Sequence, residues 1–421
     1  MRGLVPRTAS CRPLVLAVCV GTLLMMASEG IIGPILPLYV RGFDVGVTLI
    51  GVIVGAAGFS RMVLNFPAGY VSDSLGRRPL LVVGPLLTAL AAVLAGLAGN
   101  VWELLAFRFL AGAGTGLFMT GSIILLSDIQ DSSDRVRAMS LYRAAIMVGV
   151  TLGPVVGGPL AEFAGFRTPF FVVAGLATMA ALWSYGRIPQ VRQTGDDRIV
   201  RQGAPGELPL QARLALVIGD TNLLLVSLVT FTMFFILIGA RLSIIPLIAD
   251  ERIGIGTGAL GGIFALISIS NLLSIWPAGH FADRFGRKWV IIPSGLISGG
   301  SLLLFAVSQE LGTFVVAAVA MGVGTGLTSP VTAAYAADIA PAQARGAAMG
   351  LYQTLGDSGF VAGPLLLGWL AEVSNFGLAL AFNAALAVGA AVLFGTFARE
   401  SLASKGQRRA RVSPQGRSPS M

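Results

Sequence analysis

Charged side chains are scarce in this sequence, and so are the residues that most often build enzyme sites. Asp, Glu, Lys and Arg make up 12% of the 421 residues, about half of what a soluble domain carries. There is one histidine, His280, and there are two cysteines, Cys11 and Cys19. So little charge excludes a hydrated surface around the whole chain, and two cysteines near the N-terminus imply no disulfide framework.

Sequence motifs for catalysis are also missing. The sequence shows no cluster of metal ligands and no nucleophile with its base. Its glycine-rich strings, Gly112–Gly116 and Gly322–Gly326, lack the Lys-Ser/Thr pair and the preceding strand of a phosphate-binding loop. We therefore expect no enzyme, no cofactor, no metal and no ATP-driven pump.

Apolar residues dominate instead, at 55% of the chain with a mean hydropathy of +0.82. Apolar windows of 18 or more residues recur along nearly the whole sequence, which indicates membrane-spanning helices. The 55 glycines suit such helices because small residues let backbones approach closely. We predict an all-α membrane protein with twelve spans, at about 14–40, 47–72, 79–98, 101–127, 138–163, 168–186, 214–248, 256–282, 289–308, 311–337, 347–372 and 376–398.

A polar stretch between two apolar runs reveals a duplication. Gly69–Pro79, the first hinge, reads Gly-Tyr-Val-Ser-Asp-Ser-Leu-Gly-Arg-Arg-Pro, and a similar stretch, the second hinge, occupies Gly279–Trp289, 210 residues later. The same offset pairs Asp128 with Asp338, Tyr142 with Tyr352, Gly153-Pro154 with Gly363-Pro364, and Ala161-Glu162 with Ala371-Glu372. Six helices separate the copies, so both have the same orientation, which predicts two parallel six-helix bundles with a substrate site between them.

Polar segments divide the chain into four parts. Residues 1–186 form an N-terminal bundle, 187–213 a cytoplasmic linker, 214–398 a C-terminal bundle, and 399–421 a basic, disordered cytoplasmic tail. Arg and Lys concentrate at the N-terminus, the hinges, the linker and the tail, whereas the other side holds only Arg41, Arg167 and Arg252. This positive-inside pattern predicts a multi-pass protein of the cell membrane with both termini cytoplasmic. The net charge of +9 thus marks topology and not nucleic-acid binding.

Three motifs resemble those of the major facilitator superfamily, and the resemblance covers the whole chain. Both hinges match its loop pattern G-x-x-x-D-x-x-G-R-R/K. The run that starts at Arg108 resembles the helix 4 motif of proton-coupled members. A third motif resembles the helix 5 signature of twelve-helix drug:proton antiporters, and comprises Gly149, Gly153, Pro154, Gly157 and Gly158. The second half departs from both of the latter motifs, since Ala318 replaces Arg108 and Leu367 replaces Gly157.

The resemblance implies that the hinges act as a conformational latch. In it, Asp73 and Arg77 form a charge network with Asp128, made in the outward-facing state and broken in the inward-facing one. The alternative is a helix cap that merely marks topology. The complete set of expected latch residues is Gly69, Asp73, Gly76, Arg77, Asp128, Gly279, Asp283, Gly286, Arg287 and Asp338.

Charges inside the predicted spans indicate where protons couple to transport. Each costs about 2.5 to 3.5 kcal/mol unless it is paired or hydrated. Glu29 lies near the middle of helix 1, Arg108 in helix 4 and Asp357 in helix 11. Burial favours a protonated carboxyl group and a nearby guanidinium favours the ionised form, so we expect Glu29 to exchange protons. The alternative is a permanent salt bridge from Glu29 to Arg108 or Arg61.

Polar residues elsewhere in the spans are expected to line the substrate cavity. They are Arg61, Tyr142, Arg241, Asn271, Tyr352 and Gln353, whereas Arg143 near a helix end snorkels to the surface. Four intramembrane arginines against two acids favour neutral, zwitterionic or anionic substrates. For the two tyrosines, the alternative is simple packing.

These inferences combine into a predicted secondary active transporter. It exports a small amphiphilic molecule, drug or metabolite, by proton antiport through alternating access. Its expected partners are the small-molecule substrate, protons and the lipid bilayer, with no nucleic acid, and it works as a monomer. The alternatives are a proton symporter for sugars or metabolites on the same fold and a membrane sensor that does not transport.

Overall fold

The part of the chain that the structure describes is built from twelve long helices. The computed structural model describes residues 11–127, 129, 132–189, 215–341 and 344–400, without the side chains of 11, 12, 65–75, 132, 133, 136, 345 and 346. The helices are α1 (Cys11–Ile32, continued by Leu36–Arg41), α2 (Val47–Leu75), α3 (Arg77–Leu97), α4 (Val101–Ser127), α5 (Ser132–Ala164), α6 (Thr168–Arg187), α7 (Thr221–Ile253), α8 (Thr257–Phe285), α9 (Lys288–Val307), α10 (Leu311–Ile339), α11 (Arg345–Val373) and α12 (Phe376–Phe397). Residues 215–218 add one short helical turn.

Eleven of these helices are long and apolar enough to cross a membrane. The exception among the described helices is α11, which is long enough at 29 residues but carries polar groups such as Gln353 and Asp357 along it. The predicted linker 187–213 and basic tail 399–421 fall almost wholly outside the described residues. The predicted twelve-helix membrane fold is thus confirmed, with its most polar span in the second half.

The helices form two six-helix bundles, and equivalent helices of the two bundles pack against equivalent neighbours. In the N-terminal bundle α2 packs on α4, α3 packs on α4 and α6, and α1 packs on α5. In the C-terminal bundle α8 packs on α10, α9 packs on α10 and α12, and α7 packs on α11. The parallel pseudo-repeat predicted from the 210-residue offset is therefore the organising symmetry of the fold.

Two spans depart from regular α-helix. In α1 a turn at residues 33–35 separates the two helical pieces, at the Gly33-Pro34 dipeptide that would break a continuous helix. In α7 the backbone widens to π-helix over Phe235–Ile244 and again over Ala249–Ile253. Such π-helical turns occur often at functional sites. Both irregular spans hold the same place in the internal repeat, because α1 and α7 are equivalent helices, and the first π-helical stretch of α7 ends at Ile244, the repeat partner of Pro34.

Each hinge turns on a glycine with positive φ. Gly76 has φ 89° and ψ 176°, and Gly286 has φ 112° and ψ 152°. Both lie in the region that only glycine occupies readily. The backbone therefore requires glycine at the end of both Asp-x-x-Gly runs.

Replacing Gly286 by Ala is expected to lower the free energy of unfolding by about 1–3 kcal/mol. The new Cβ would sit in the strained backbone region, 2.7 Å from a carboxylate oxygen of Glu400. Thermal unfolding in detergent measures the loss. Gly300→Ala in α9 is the control, because that helical position has nothing within 4 Å of a new Cβ. Equal melting temperatures for the two variants would contradict the requirement for glycine at the hinge.

Candidate functional site

A small buried cavity lies within the N-terminal bundle, between α1, α3, α4 and α6. Its lining includes Glu29 of α1, Thr88 of α3 and Arg108 of α4. The space open to the centre of a water molecule measures about 20 Å³, which is room for about one water. Glu29 and Arg108, predicted from sequence to take part in proton coupling, therefore line the same cavity.

The Glu29 carboxylate is held by a neutral donor. The hydroxyl of Thr115 on α4 donates a hydrogen bond to its Oε1 at 3.0 Å, and the side chain is half-buried. Among the residues that the structure describes, no basic nitrogen lies within 4.0 Å of this carboxylate. The salt-bridge alternative does not hold in this conformation, so the carboxylate is not fixed in a permanent ion pair.

Arg108 is a buried cation, only 7% exposed. Its Nε finds no hydrogen-bond partner within the described part of the protein. Glu29 is the acid whose charge acts on it across the cavity. A buried guanidinium without an ion pair is costly inside a membrane span. The expected part of Arg108 in proton coupling stays a prediction.

A second polar group joins the two bundles. Asp357 of α11 is half-buried and accepts a hydrogen bond from Gln353, one turn earlier, at 3.0 Å. Arg61 of α2 in the other bundle places its guanidinium 4.7 Å from the ring centroid of Phe360, and its charge acts on Asp357. The rings of Phe360 and Phe234 stand 4.5 Å apart. An arginine, an acid and two aromatic rings therefore lie together between the halves.

Tyr142 of α5 adds a buried hydroxyl near this group. The side chain is 4% exposed, and its OH has no partner among the described residues. The charges of Arg61 and the neighbouring, exposed Arg143 both act on it. Tyr142 therefore lies close enough to Arg61 and Arg143 for the charges of both arginines to act on it.

The other residues predicted to line the cavity are bonded within the C-terminal bundle. Arg241, in the π-helical part of α7, is 7% exposed and donates to the Ser268 hydroxyl at 2.7 Å and to the Phe264 carbonyl at 3.3 Å. Two more predicted residues bond between helices of this bundle: Asn271 donates to Thr325 at 2.9 Å, and the Tyr352 hydroxyl bonds Thr230 at 3.0 Å and Thr332 at 3.2 Å. These bonds hold the wall of the bundle together.

The glycine motif of α5 faces two different helices. Gly149, Gly153 and Gly157 face α1, and a Cβ added at Gly153 would lie 2.5 Å from the Cα of Gly30. Gly158 instead faces α8 of the other bundle, where its Cβ would lie 2.9 Å from the Cα of Gly261. Pro154 lies in the same helix and presents its carbonyl oxygen to Gly261. One motif thus packs α5 within its own half and against the opposite half.

Two of the expected latch residues form an ion pair at the second hinge. Arg287 donates from Nε and Nη2 to Asp338 at the end of α10, both at 2.8 Å. The carboxylate of Glu400 accepts the backbone N–H of Arg287 at 3.0 Å and of Lys288 at 3.2 Å. Asp283 is exposed and makes no ion pair among the described residues. At the first hinge Arg77 is buried.

The two acids expected in the latch at the first hinge, Asp73 and Asp128, have no described side chains. Gly69 lies within α2, and the side chain of Asp73 belongs to the undescribed stretch 65–75 of that helix. Asp128 lies just beyond α4, outside the described residues, whereas Gly279 lies within α8. The predicted network of Asp73, Arg77 and Asp128 stays a prediction.

The two bundles meet along α2 with α11 and α5 with α8. A Cβ added at Gly51 of α2 would collide with the carbonyl oxygen of Pro364 on α11, and one added at Gly261 of α8 would collide with that of Pro154 on α5. Both contacts lie toward the membrane side opposite Gly76 and Gly286. We call that side the far end and the hinge side the hinge end.

Polar contacts tie the halves together at the same far end. Glu372 at the end of α11 accepts the backbone N–H of Thr48 in α2 at 2.6 Å, and Glu162 at the end of α5 accepts that of Gly258 in α8 at 2.5 Å. An exposed ion pair joins Arg41 of α1 to Glu251 of α7 at 2.6 Å. The structure is therefore closed at the far end.

Sequence reasoning missed several of these partners. From the sequence alone we assign no role to Thr115, Phe360 or Ser268. Glu162 and Glu372 carried a signal, since they coincide at the 210-residue offset. Their partners lie on the opposite half, however, and only the assembled seam reveals them.

Comparison with known proteins gives relatives over most of the chain. It is 24% identical over 357 residues to the quinolone resistance protein NorA of Staphylococcus aureus, covering 83% of this chain and 88% of the relative. It is 23% identical over 381 residues to an uncharacterised MFS-type transporter of Methanocaldococcus jannaschii, with 89% and 95% covered.

Solved transporter structures have the same fold. A bacterial homologue of the human lysosomal transporter Spinster, inward-facing and unoccupied, aligns with a TM-score of 0.76 at 15% identity, covering 97% of this chain and 100% of that one. A D-xylose–proton symporter aligns with a TM-score of 0.75 at 19% identity, covering 93% and 99%. The family model described as Major Facilitator Superfamily matches residues 18–276 and 226–419. Twelve helices in two repeated bundles, together with a family match across both, show that the chain belongs to the major facilitator superfamily of membrane transporters.

Proposed function

We propose that this transporter exports small amphiphilic compounds by proton antiport through alternating access. The observation that carries the proposal is the cavity shared by Glu29 and Arg108 in the N-terminal bundle, where no ion pair holds the carboxylate among the described residues. A membrane-embedded acid that is free to gain and lose a proton is what proton coupling requires. The matched repeat position of Arg108 is Ala318, so this chemistry is carried by one bundle only.

Proton exchange at Glu29 changes the charge balance of the cavity. When ionised, Glu29 compensates the buried charge of Arg108 and accepts the Thr115 hydroxyl. A proton on the carboxyl group leaves Arg108 uncompensated, which raises the cost of keeping this cavity dry. Protonation and deprotonation therefore favour different conformations of the bundle, and this preference links proton movement to the alternation of access.

The hinge end is the cytoplasmic side in this proposal, and both termini lie there. The basic residues of the two hinges support this orientation by the positive-inside rule. The closed far end then faces the outside of the plasma membrane. Substrate enters from the cytoplasm or the inner leaflet toward the group of Arg61, Gln353, Asp357 and Phe360 between the bundles.

The charge of this group favours neutral, zwitterionic or anionic substrates. Arg61 and Arg143 both act on Tyr142, Arg61 also acts on Asp357, the one acid named in this group, and the aromatic rings of Phe234 and Phe360 offer an apolar surface. An aromatic compound that carries a carboxylate is complementary to both features. The name of the relative NorA, a quinolone resistance protein, supports a drug-like substrate class.

Two other functions remain candidates on this fold. A proton symporter for sugars or metabolites is the nearer one, and a D-xylose–proton symporter is among the structures with this fold. The glycine motif of α5, which resembles that of antiporters, favours export. The second candidate is a membrane sensor that binds its ligand without transporting it. The intramembrane acids Glu29 and Asp357 argue against a sensor, because charged groups inside a membrane span usually serve transport.

Purified protein in proteoliposomes with an imposed pH gradient tests the proposal. We expect an amphiphilic carboxylate to move against the proton flow and a permanently cationic dye of similar size to move more slowly. Movement in the same direction as protons identifies a symporter. Binding without accumulation in either direction identifies a sensor, and liposomes without protein control for leakage.

A further inference from the structure

Two exposed carboxylates at the far end each bind the start of a helix in the opposite bundle. Glu372 of α11 accepts the N–H of Thr48, in the first turn of α2, at 2.6 Å. Glu162 of α5 accepts the N–H of Gly258, in the first turn of α8, at 2.5 Å. Neither bond lies within one bundle, so each exists only while the two bundles touch at this end.

The two bonds are copies of each other under the internal repeat. Glu162 and Glu372 are 210 residues apart, and so are Thr48 and Gly258. Each bundle therefore gives one carboxylate and receives one. Glycines leave room for both carboxylates. A Cβ added at Gly46 would lie 2.5 Å from a carboxylate oxygen of Glu372, and one added at its repeat partner Gly256 would lie 3.4 Å from a carboxylate oxygen of Glu162.

Physical chemistry makes such a bond favourable and easily reversed. The first N–H groups of a helix have no partner inside the helix, and the positive end of the helix dipole attracts a carboxylate. Both carboxylates are exposed at the far end, so when the bundles separate, water replaces the N–H groups as donor. The bonds therefore favour one conformation without making separation prohibitive.

A third polar contact completes this end of the molecule. Arg41 of α1 pairs with Glu251 at 2.6 Å and with Asp250 at 3.5 Å, all on the exposed surface. Exposed ion pairs of this kind contribute little because water screens them and two long side chains must be ordered. In the carboxylate–backbone bonds the donor N–H is already fixed at the start of a helix. These bonds therefore contribute more than the ion pairs to the preference for the conformation closed at the far end.

We infer that Glu162 and Glu372 form a reciprocal far-end latch, which holds the transporter in the conformation closed at that end and contributes equally from both seams between the bundles. This inference rests on the proposed alternating access, and it adds residues to which neither the proton site nor the glycine motif assigns a role. Because the bonds lie in two separate seams, their effects on the conformational equilibrium multiply.

Distance measurement between spin labels across the far end tests the latch. Labels at Trp102→Cys and Leu311→Cys, on opposite bundles, are introduced with Cys11 and Cys19 replaced by Ser, in lipid nanodiscs. We expect Glu162→Ala and Glu372→Ala each to raise the ratio of long to short distances about threefold, and the double variant about tenfold, the range for carboxylates at helix starts. Glu→Gln variants, which keep an acceptor but lose the charge, fall between.

Glu103→Ala is the matched control. Glu103 is also an exposed far-end carboxylate that accepts a backbone N–H, that of Gly99 at 2.9 Å, but within the N-terminal bundle. An unchanged distance distribution in the double variant, or an equal shift in Glu103→Ala, overturns the latch. The measurement uses neither substrate nor a pH gradient, so its outcome is independent of whether proton antiport is correct.

Discussion

Replacing Glu29 by Gln is expected to abolish export driven by a pH gradient while substrate still binds. Gln keeps the size of the side chain and an oxygen for the Thr115 hydroxyl, whose bond to Glu29 measures 3.0 Å. It removes the acidic group of the cavity that Arg108 lines, the only one among the described residues of that lining. If Glu29 carries the proton, gradient-driven flux falls by at least roughly 100-fold, which corresponds to about 2.7 kcal/mol.

Two assays on one proteoliposome preparation separate coupling from binding. Flux under an imposed pH gradient reports coupling, and substrate exchange without a gradient reports binding and alternation. We expect Glu29→Gln to lose the first and keep the second. Glu103→Gln is the control, because it neutralises an exposed carboxylate of the same bundle that does not line the cavity. Full gradient-driven flux from Glu29→Gln would remove this residue from the proton pathway.

Asp357 is the second acid that this experiment must distinguish from Glu29. It is bonded to Gln353 and lies near Arg61 at the seam between the bundles, where substrate is proposed to bind. A neutral residue there changes the charge presented to substrate. We therefore propose that Asp357 serves substrate selection as well as proton coupling, and Glu29 proton coupling alone.

Much of the architecture is readable from the sequence because the membrane imposes simple rules. Apolar runs mark spans, and the span at 101–127 agrees with α4 to the residue. The repeat at 210 residues predicts two parallel bundles, and the glycine of each Asp-x-x-Gly run marks a backbone turn. These features depend on local sequence or on a regular offset, so no knowledge of tertiary contacts is needed to find them.

Contacts across the seam are not readable in the same way. An acid at the end of a membrane helix, such as Glu162, has the same local sequence signature whether it faces water or caps a helix in the other half. Arg241 looked like a cavity residue because its partner, the Ser268 hydroxyl, is 27 residues away and carries no charge. The π-helical turns around it pack against α11, and the stretch Phe235–Ile244 contains no proline that would mark them in the sequence.

The seam also predicts a variant that prevents far-end closure. Gly51 of α2 faces the carbonyl oxygen of Pro364 on α11, and a Cβ there would meet backbone that cannot move aside. Gly51→Val should therefore disfavour the closed far end by about 3 kcal/mol, or roughly 100-fold in the conformational equilibrium. The packing of α2 on α4 lies within its own bundle, so we expect the variant to fold and to stay open at the far end.

Spin-label distances across the far end and substrate flux measure this effect. We expect long distances, substrate binding from the far side, and turnover reduced by at least roughly tenfold, because a transporter held in one conformation cannot complete its cycle. Gly261→Val, the repeat partner that faces Pro154, should behave alike.

The neighbouring position supplies the control for both variants. Gly262 of α8 has nothing within 4 Å of a new Cβ, and its repeat partner is already Val52. Gly262→Val adds the same side chain to the same helix without entering the seam, so distances and turnover should stay unchanged. Normal turnover in both Gly51→Val and Gly261→Val would mean that the bundles can close without this contact. Because the two glycines occupy equivalent places in separate seams, loss of transport in both would instead show that each seam must close in every cycle.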